Sequence, residues 1–396
     1  VARASDLSLT SPDTDQAAAE RPPRLLCAPE LIFDPEAVAE ELRAACTESP
    51  EAQRRGAAVA VLRDVQKRGR AEIAKHFAAA PFDARGMTRA YSHLTDRLVE
   101  TVLSVAVTYL HPLPNPTEGE RLSVIAVGGY GRGEMAPFSD VDLLFLIPYK
   151  ATAWSESVIE SMLYMLWDLK LKVGHATRTI RECLRLGAED FTIQTALLEH
   201  RFIAGDAALA EKLRQRLNAD LFEGDGRDFI EAKLEERDAR HIKQGERYVV
   251  EPNVKEGKGG LRDLHSLFWI AKFIHQVDRI SELVDQGIFR AEEYETFREA
   301  EDFLWAVRGH LHLLTNRATE QLTFDMQVQV AEAMGYADTG GRRGVEVFMQ
   351  TYFRHATAVG DLTRIFLSSL EGKHLKAEPL LERIFRRRPK MRAGFK

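Results

Sequence analysis

The sequence predicts an α+β chain in which a small sheet lies between mainly helical amino- and carboxy-terminal regions. Tyr91, Leu94, Leu98, Val102, Val105 and Tyr109 recur at three- and four-residue steps, the spacing of one helix face. Short β-branched runs then appear at Leu122–Val127 and Val141–Ile147, the second stopped by Pro148. After Gly205-Asp206 the helical patterning returns and holds almost throughout, with one irregular interruption at Glu251–Gly260.

Taken in order, residues 1–23 are rich in Ala, Ser, Thr, Asp and Pro without periodicity and read as a disordered tail. Asp34-Pro35 places a capping side chain before a proline at the first helical position, and predicts a helix to about Cys46. Helical patterning continues over 51–79 and Thr88–Leu110, so 24–115 is read as a helical N-terminal region. Pro112, Pro114 and Pro116 make His111–Glu120 a connector. Residues 116–225 form the expected α+β core: the two strands above, a helix over about 153–171, a strand over 172–177, a helical stretch over 179–197 and a strand over 198–203. Residues 226–396 are read as a helical domain.

Composition narrows the function. The 396 residues carry 54 basic and 60 acidic side chains, a net charge of −6, so there is no bulk positive field for nucleic acid or an anionic membrane surface. No apolar run approaches the length of a membrane span. Cys27, Cys46 and Cys183 are few, odd in number and widely spaced, which suits a reducing compartment, with the cytoplasm as the expectation. A Val at position 1 and a stop at Lys396 after a basic run suggest an excerpt of something longer.

The chemistry concentrates in Gly128-Gly-Tyr-Gly-Arg-Gly-Glu-Met-Ala-Pro-Phe-Ser-Asp140-Val-Asp142. A P-loop needs Lys after its last glycine, and here Gly133 is followed by Glu134. The dinucleotide pattern fails as well, because Glu134 stands where its third glycine belongs. What remains is a glycine pair after one strand and two carboxylates opening the next. Side chains two apart on a strand share a face, so Asp140 and Asp142 converge while Val141 faces the core. Such a pair suits Mg²⁺, a hard cation that binds one or two carboxylates together with substrate phosphates. The backbone amides of Gly128 and Gly129, with no Cβ in the way, suit the outer phosphates. The competing reading is a solvated Asp-x-Asp turn beside a structural glycine loop.

These residues resemble the polymerase-β-like nucleotidyltransferase superfamily, whose signature is a strand, a Gly-Gly or Gly-Ser turn and Asp-x-Asp on the following strand. The longer string, with Arg132, Glu134, Pro137 and Ser139, is similar to the bacterial PII uridylyltransferase/uridylyl-removing enzymes. So are Val173-Gly-His-Ala-Thr-Arg178-Thr, Leu198-Glu-His-Arg201 through Gly205-Asp206, and Glu251-Pro-Asn-Val-Lys-Glu-Gly-Lys-Gly-Gly-Leu-Arg-Asp263. The resemblance implies a nucleotidyltransferase domain with a small mixed sheet, UTP as substrate, two Mg²⁺ ions, and a tyrosine of the PII signalling protein as acceptor. It also implies a third carboxylate from a later strand. Glu199 is the best placed, as ligand or base, and its alternative is an acid paired with a neighbouring arginine. Arg132, Ser139, Lys258 and Arg262 are the expected nucleotide- and phosphate-binding residues beside Gly128 and Gly129, with Arg178, Arg201 and Lys255 as weaker candidates. His175 is read as structural. Phe268, Trp269, Phe303 and Trp305 are read as core.

The removing half of the resembled enzymes needs an adjacent His-Asp pair, and none of the 12 histidines is followed by Asp. The βαββαβ patterning of glutamine-sensing ACT repeats is absent too. Uridylyl removal and glutamine sensing are therefore not expected of these residues. The rival readings are an adenylyltransferase of the same superfamily acting on another protein, and a non-catalytic nucleotide-binding module.

Overall fold

The computed structural model describes residues 24–223, 226–244, 249–277 and 281–374, so the expected tail and the last residues lie outside the described part. The amino-terminal helices are α1 (Pro29–Ile32), α2 (Pro35–Glu48), α3 (Arg54–Ala79) and α4 (Ala84–Val105). The core follows as β1 (Ser123–Ala126), α5 (Gly128–Gly131), β2 (Val141–Leu146), α6 (Ala153–Asp168), β3 (Val173–Arg178), α7 (Ile180–Glu189), α8 (Phe191–Leu198), β4 (Arg201–Gly205) and α9 (Ala207–Asp220). The chain then continues through α10 (Arg227–Gln244), α11 (Leu261–His275), α12 (Glu282–Asp285), α13 (Ala291–Thr315), α14 (Phe324–Ala333) and α15 (Gly344–His374).

Local chemistry accounts for the helix starts. Asp34 accepts from the amides of Glu36 and Ala37 at the head of α2, and Thr179 with Glu182 closes a reciprocal capping box at α7. The helical stretch expected over 179–197 is broken at Asp190, whose carboxylate accepts from Thr192 and Ile193 and caps a new helix, α8. That helix runs to Leu198, which shifts the last strand three residues later than its apolar run suggests, to Arg201.

The sheet is mixed, in the order β3-β2-β1-β4. β1 pairs antiparallel with β2 and with β4, whereas β2 and β3 run parallel across the α6 crossover. Alternation divides its side chains between two cores. Val124, Ala126, Val141, Leu143 and Phe145 join the large core built with the helices at both ends of the chain. Ile125, Leu144 and Leu146 meet Cys183, Leu197, Leu213 and Phe229 on the opposite face. Asp142 belongs to that second face, at its rim, which is the placement strand alternation predicts.

The terminal helical regions, far apart in sequence, pack on each other. Phe77 of α3 stacks on His310 of α13 at 4.4 Å, and Arg85 of α4 pairs with Glu301 and Asp302 of α13 at 3.0 and 2.6 Å. This packing carries α11 and α13 over the mouth of the sheet. Among the described residues no helix is long and apolar enough to cross a membrane.

Candidate active site

Between the end of β1 and the start of β2 the chain forms a single tight turn of helix, α5, where the sequence reads as a glycine loop. Gly128 adopts φ +59°, a conformation other residues resist, and its missing Cβ faces Asp142 Oδ2 at 3.5 Å. Gly131 permits a closer approach, because a Cβ there would collide with the backbone carbonyl of Glu199. On the parallel neighbour β3, a Cβ on Gly174 would collide with Asp142 Oδ1. Glycines on two elements thus hold the Asp142 carboxylate in a slot.

A cavity of about 340 Å³ opens in front of it. Gly128, Gly129, Arg132, Ser139, Asp140, Asp142, Glu199 and Arg262, all picked out from sequence, line this one space. Lys258, also picked out, is not among its lining residues; Lys255, three residues earlier on the same loop, is. The loop's path explains the exchange: Gly259 has φ +76° and packs against the backbone of Ala356, where no side chain fits. Arg178 and His175 also lie off the lining, His175 standing against Trp167 at 6.3 Å. Arg201 is committed to Asp96 at 2.8 Å and lies over the ring of Tyr130.

Charged side chains of both signs line the cavity. Asp140 and Asp142 have no ion-pair partner among the described residues. Burial, and then the charge of Asp140 beside it, raise the Asp142 carboxyl above its ordinary range. Lys233, Lys255, Arg262 and Arg308 line the same cavity, Lys233 paired with Glu236 at 2.7 Å, Arg262 with Glu256 at 3.3 Å and Arg308 with Glu320 at 2.8 Å; Lys233 and Arg262 rest on Trp269 and Arg308 on Trp305. Lys255 is pushed below its usual range by burial and by Arg308. Sequence reasoning missed Lys233 and Arg308, because nothing in a helical pattern separates a lysine or arginine facing a cavity from one facing water. It read Trp269 and Trp305 as core; both are buried, at 4% exposure, and both also line the cavity as platforms for its cations.

Glu199 is not on a strand as expected but closes α8 as its C-cap. Its side chain is 1% exposed, and both its oxygens accept from Arg132 Nη1 at 2.7 Å. The alternative reading, an acid paired with an arginine, is the arrangement found. Arg132 also donates to Glu134 at 3.2 Å and stands 3.4 Å from His265 Nε2. Among the described residues no group of three His, Cys, Asp or Glu side chains is poised to hold a metal. The donor set that fits a divalent cation is the aspartate pair, Asp142 on β2 and Asp140 one residue before that strand, both lining this cavity without a salt-bridge partner among the described residues.

Residues 228–367 match the family described as GlnD PII-uridylyltransferase. Residues 10–166 match the family described as glutamate-ammonia ligase adenylyltransferase, a nucleotidyltransferase-related domain consistent with the small mixed sheet. The chain is 66% identical over 366 residues to a bifunctional uridylyltransferase/uridylyl-removing enzyme of Ruegeria pomeroyi, covering 92% of this chain and 40% of that one. Enzymes of the same description from Cereibacter sphaeroides and Rhodospirillum rubrum are 60% and 49% identical, over 86% and 89% of this chain and 37% and 38% of theirs. The chain is a homologue of the bifunctional uridylyltransferase/uridylyl-removing enzymes, and spans about 40% of the length of the curated relatives it matches.

Proposed function

We propose that this chain transfers a uridylyl group from UTP to a tyrosine hydroxyl of a PII-type signalling protein, releasing pyrophosphate, with residues 116–225 as the catalytic core. The observation that carries the reading is the pair Asp140 and Asp142, without a salt-bridge partner among the described residues, sharing a cavity of about 340 Å³ with Lys233, Lys255, Arg262 and Arg308. A triphosphate with its metal ions is complementary to both groups of side chains: metal to the aspartates, phosphate oxygens to the cations. The names and substrates of the homologues support uracil and PII; nothing in the cavity reads a base by itself.

Asp140 and Asp142 would hold Mg²⁺, which when bound screens the triphosphate's charge and makes a phenol of ordinary pKa about 10 a usable nucleophile near neutral pH. The protein's own contribution is positioning. Lys255, Arg262 and Arg308 anchor the outer phosphates, and the glycines at 128 and 129 let the phosphate chain approach the backbone. Ser139, whose hydroxyl accepts from the amide of Ala136 at 2.9 Å, fixes the turn that delivers Asp140. Glu199 in this geometry orients Arg132 rather than standing free as a base or third ligand.

The test is incubation of the chain with purified PII, Mg²⁺ and each labelled nucleotide in turn. UTP is expected to label PII, and Asp140→Asn or Asp142→Asn to abolish labelling without loss of thermal stability. Labelling from ATP instead favours the adenylyltransferase reading, to which the match of residues 10–166 lends support. Nucleotide binding that persists without Mg²⁺ and yields no pyrophosphate favours a non-catalytic module.

A further inference from the structure

Behind the Arg132–Glu199 pair lies a second cavity, of about 440 Å³, that the proposed reaction does not use. Arg132, Glu134, Glu199 and His265 form the wall common to both. On the far side stand Arg85, Arg89, Lys272 and Arg298 from α4, α11 and α13, with Phe268, Tyr294 and Phe297 closing an apolar edge.

Cation capacity here exceeds the local acids. Arg85 is committed to Glu301 and Asp302, but the half-buried Arg89 has no hydrogen bond or ion pair among the described residues. Arg298 reaches Glu295 only at 3.4 Å through one terminal nitrogen, and its Nε is buried without a partner. A buried guanidinium donor left unmatched is costly unless something occupies the space in front of it. Glu301 offsets none of this excess beyond Arg85, the cation it already pairs with.

We propose that this second cavity is a regulatory site for a small polyanion of up to nucleotide size, held by Arg89 and Arg298, and that its occupation weakens nucleotide binding in the first cavity. The link is Arg132. Its guanidinium forms the partition, so anions on either side draw on the same charge and repel one another through it. Binding free energies are reciprocal, so nucleotide must weaken the polyanion by the same factor.

Calorimetric titration of the whole chain in metal-free buffer reads this directly, with inorganic pyrophosphate and tricarballylate as the phosphate and carboxylate probes. At least one probe is expected to show a site that survives Lys255→Ala and is weakened about tenfold by Arg89→Gln, roughly the loss of one charge-assisted contact. Arg89→Gln removes the charge and leaves a shorter polar side chain, and Arg89→Lys, which keeps the charge, is expected to retain the site, so folding and charge are separated. Saturating that site should raise the UTP dissociation constant, read with Mg²⁺ and without acceptor, several-fold in the wild-type chain and not in Arg89→Gln. Absence with both probes of a site that survives Lys255→Ala, or such a site indifferent to Arg89→Gln, overturns the assignment. A second site without effect on UTP overturns the coupling. The anion titrations need neither metal nor acceptor and the UTP titration needs no acceptor, so a chain that binds two anions but transfers no uridylyl group refutes the proposed reaction and leaves this site standing.

Discussion

Both carboxylate oxygens of Glu199 accept from a single nitrogen of Arg132 at 2.7 Å, with the two side chains only 1% and 10% exposed. A charge pair so enclosed is harmful to break from one side, because the survivor stays buried without its counter-charge. Glu199→Ala should lower the unfolding free energy by about 3 kcal/mol, the low end for a buried pair since Glu134 remains beside Arg132. Arg132→Met combined with Glu199→Leu should recover at least half of that loss. Urea denaturation of the two variants decides it; a cost under about 1 kcal/mol for the single change would mean the pair is hydrated in solution.

Gly174 tests the slot around Asp142. Alanine at this position in β3 drives a Cβ into Asp142 Oδ1 and can be relieved only by turning the carboxylate away. Gly174→Ala should reduce uridylyl transfer by about a hundredfold, the scale expected when a reacting group is displaced by an ångström. Its circular dichroism should stay unchanged, since Gly174 is exposed and the β2–β3 pairing survives. Gly131→Ala is the contrast: its Cβ meets the Glu199 backbone, which cannot turn aside, so that variant should lose stability first.

This pair of glycines also shows how far the sequence could be read. The Asp-x-Asp pattern and strand alternation place Asp140 and Asp142 together, because a period of two is a local property of the chain. The role of Gly174 is non-local, set by the parallel register that puts it opposite Asp142. Lys233 and Arg308 were invisible for the same reason, being brought to the cavity by the packing of α10 and α13. Glu199 was found through its neighbourhood, but its partner depends on a turn at Leu198–His200 that an apolar run disguises as a strand.

The raised carboxyl of Asp142 makes the metal-free chain less stable when that group is ionised. A group whose pKa is higher folded than unfolded penalises the fold when ionised; the penalty is full above the folded value and is relieved as pH falls through it. Here burial and Asp140 both raise it. Asp142→Asn should therefore increase the urea midpoint of the metal-free chain at pH 8, and the gain should shrink toward pH 4. A variant that is destabilised equally at both pH values would show that Asp142 serves folding rather than the site.

Trp269 carries the last prediction. Lys233 lies 5.2 Å and Arg262 5.4 Å from its ring centre, so one buried indole fixes two of the cations that share the cavity with the aspartates. Such contacts are worth about 0.5–2 kcal/mol each, enough to hold a flexible side chain in place before the ligand arrives. Trp269→Leu removes the platform, whereas Trp269→Phe retains a π face, and neither loses a hydrogen bond because the indole nitrogen has no partner among the described residues. Leucine should raise the KM for UTP about fivefold with kcat changed less than about twofold, the pattern of lost binding shared by ground and transition states. Phenylalanine should restore most of the affinity. If both variants lose kcat instead, the ring supports the geometry of the reacting groups, and the cations it carries do not bind the outer phosphates.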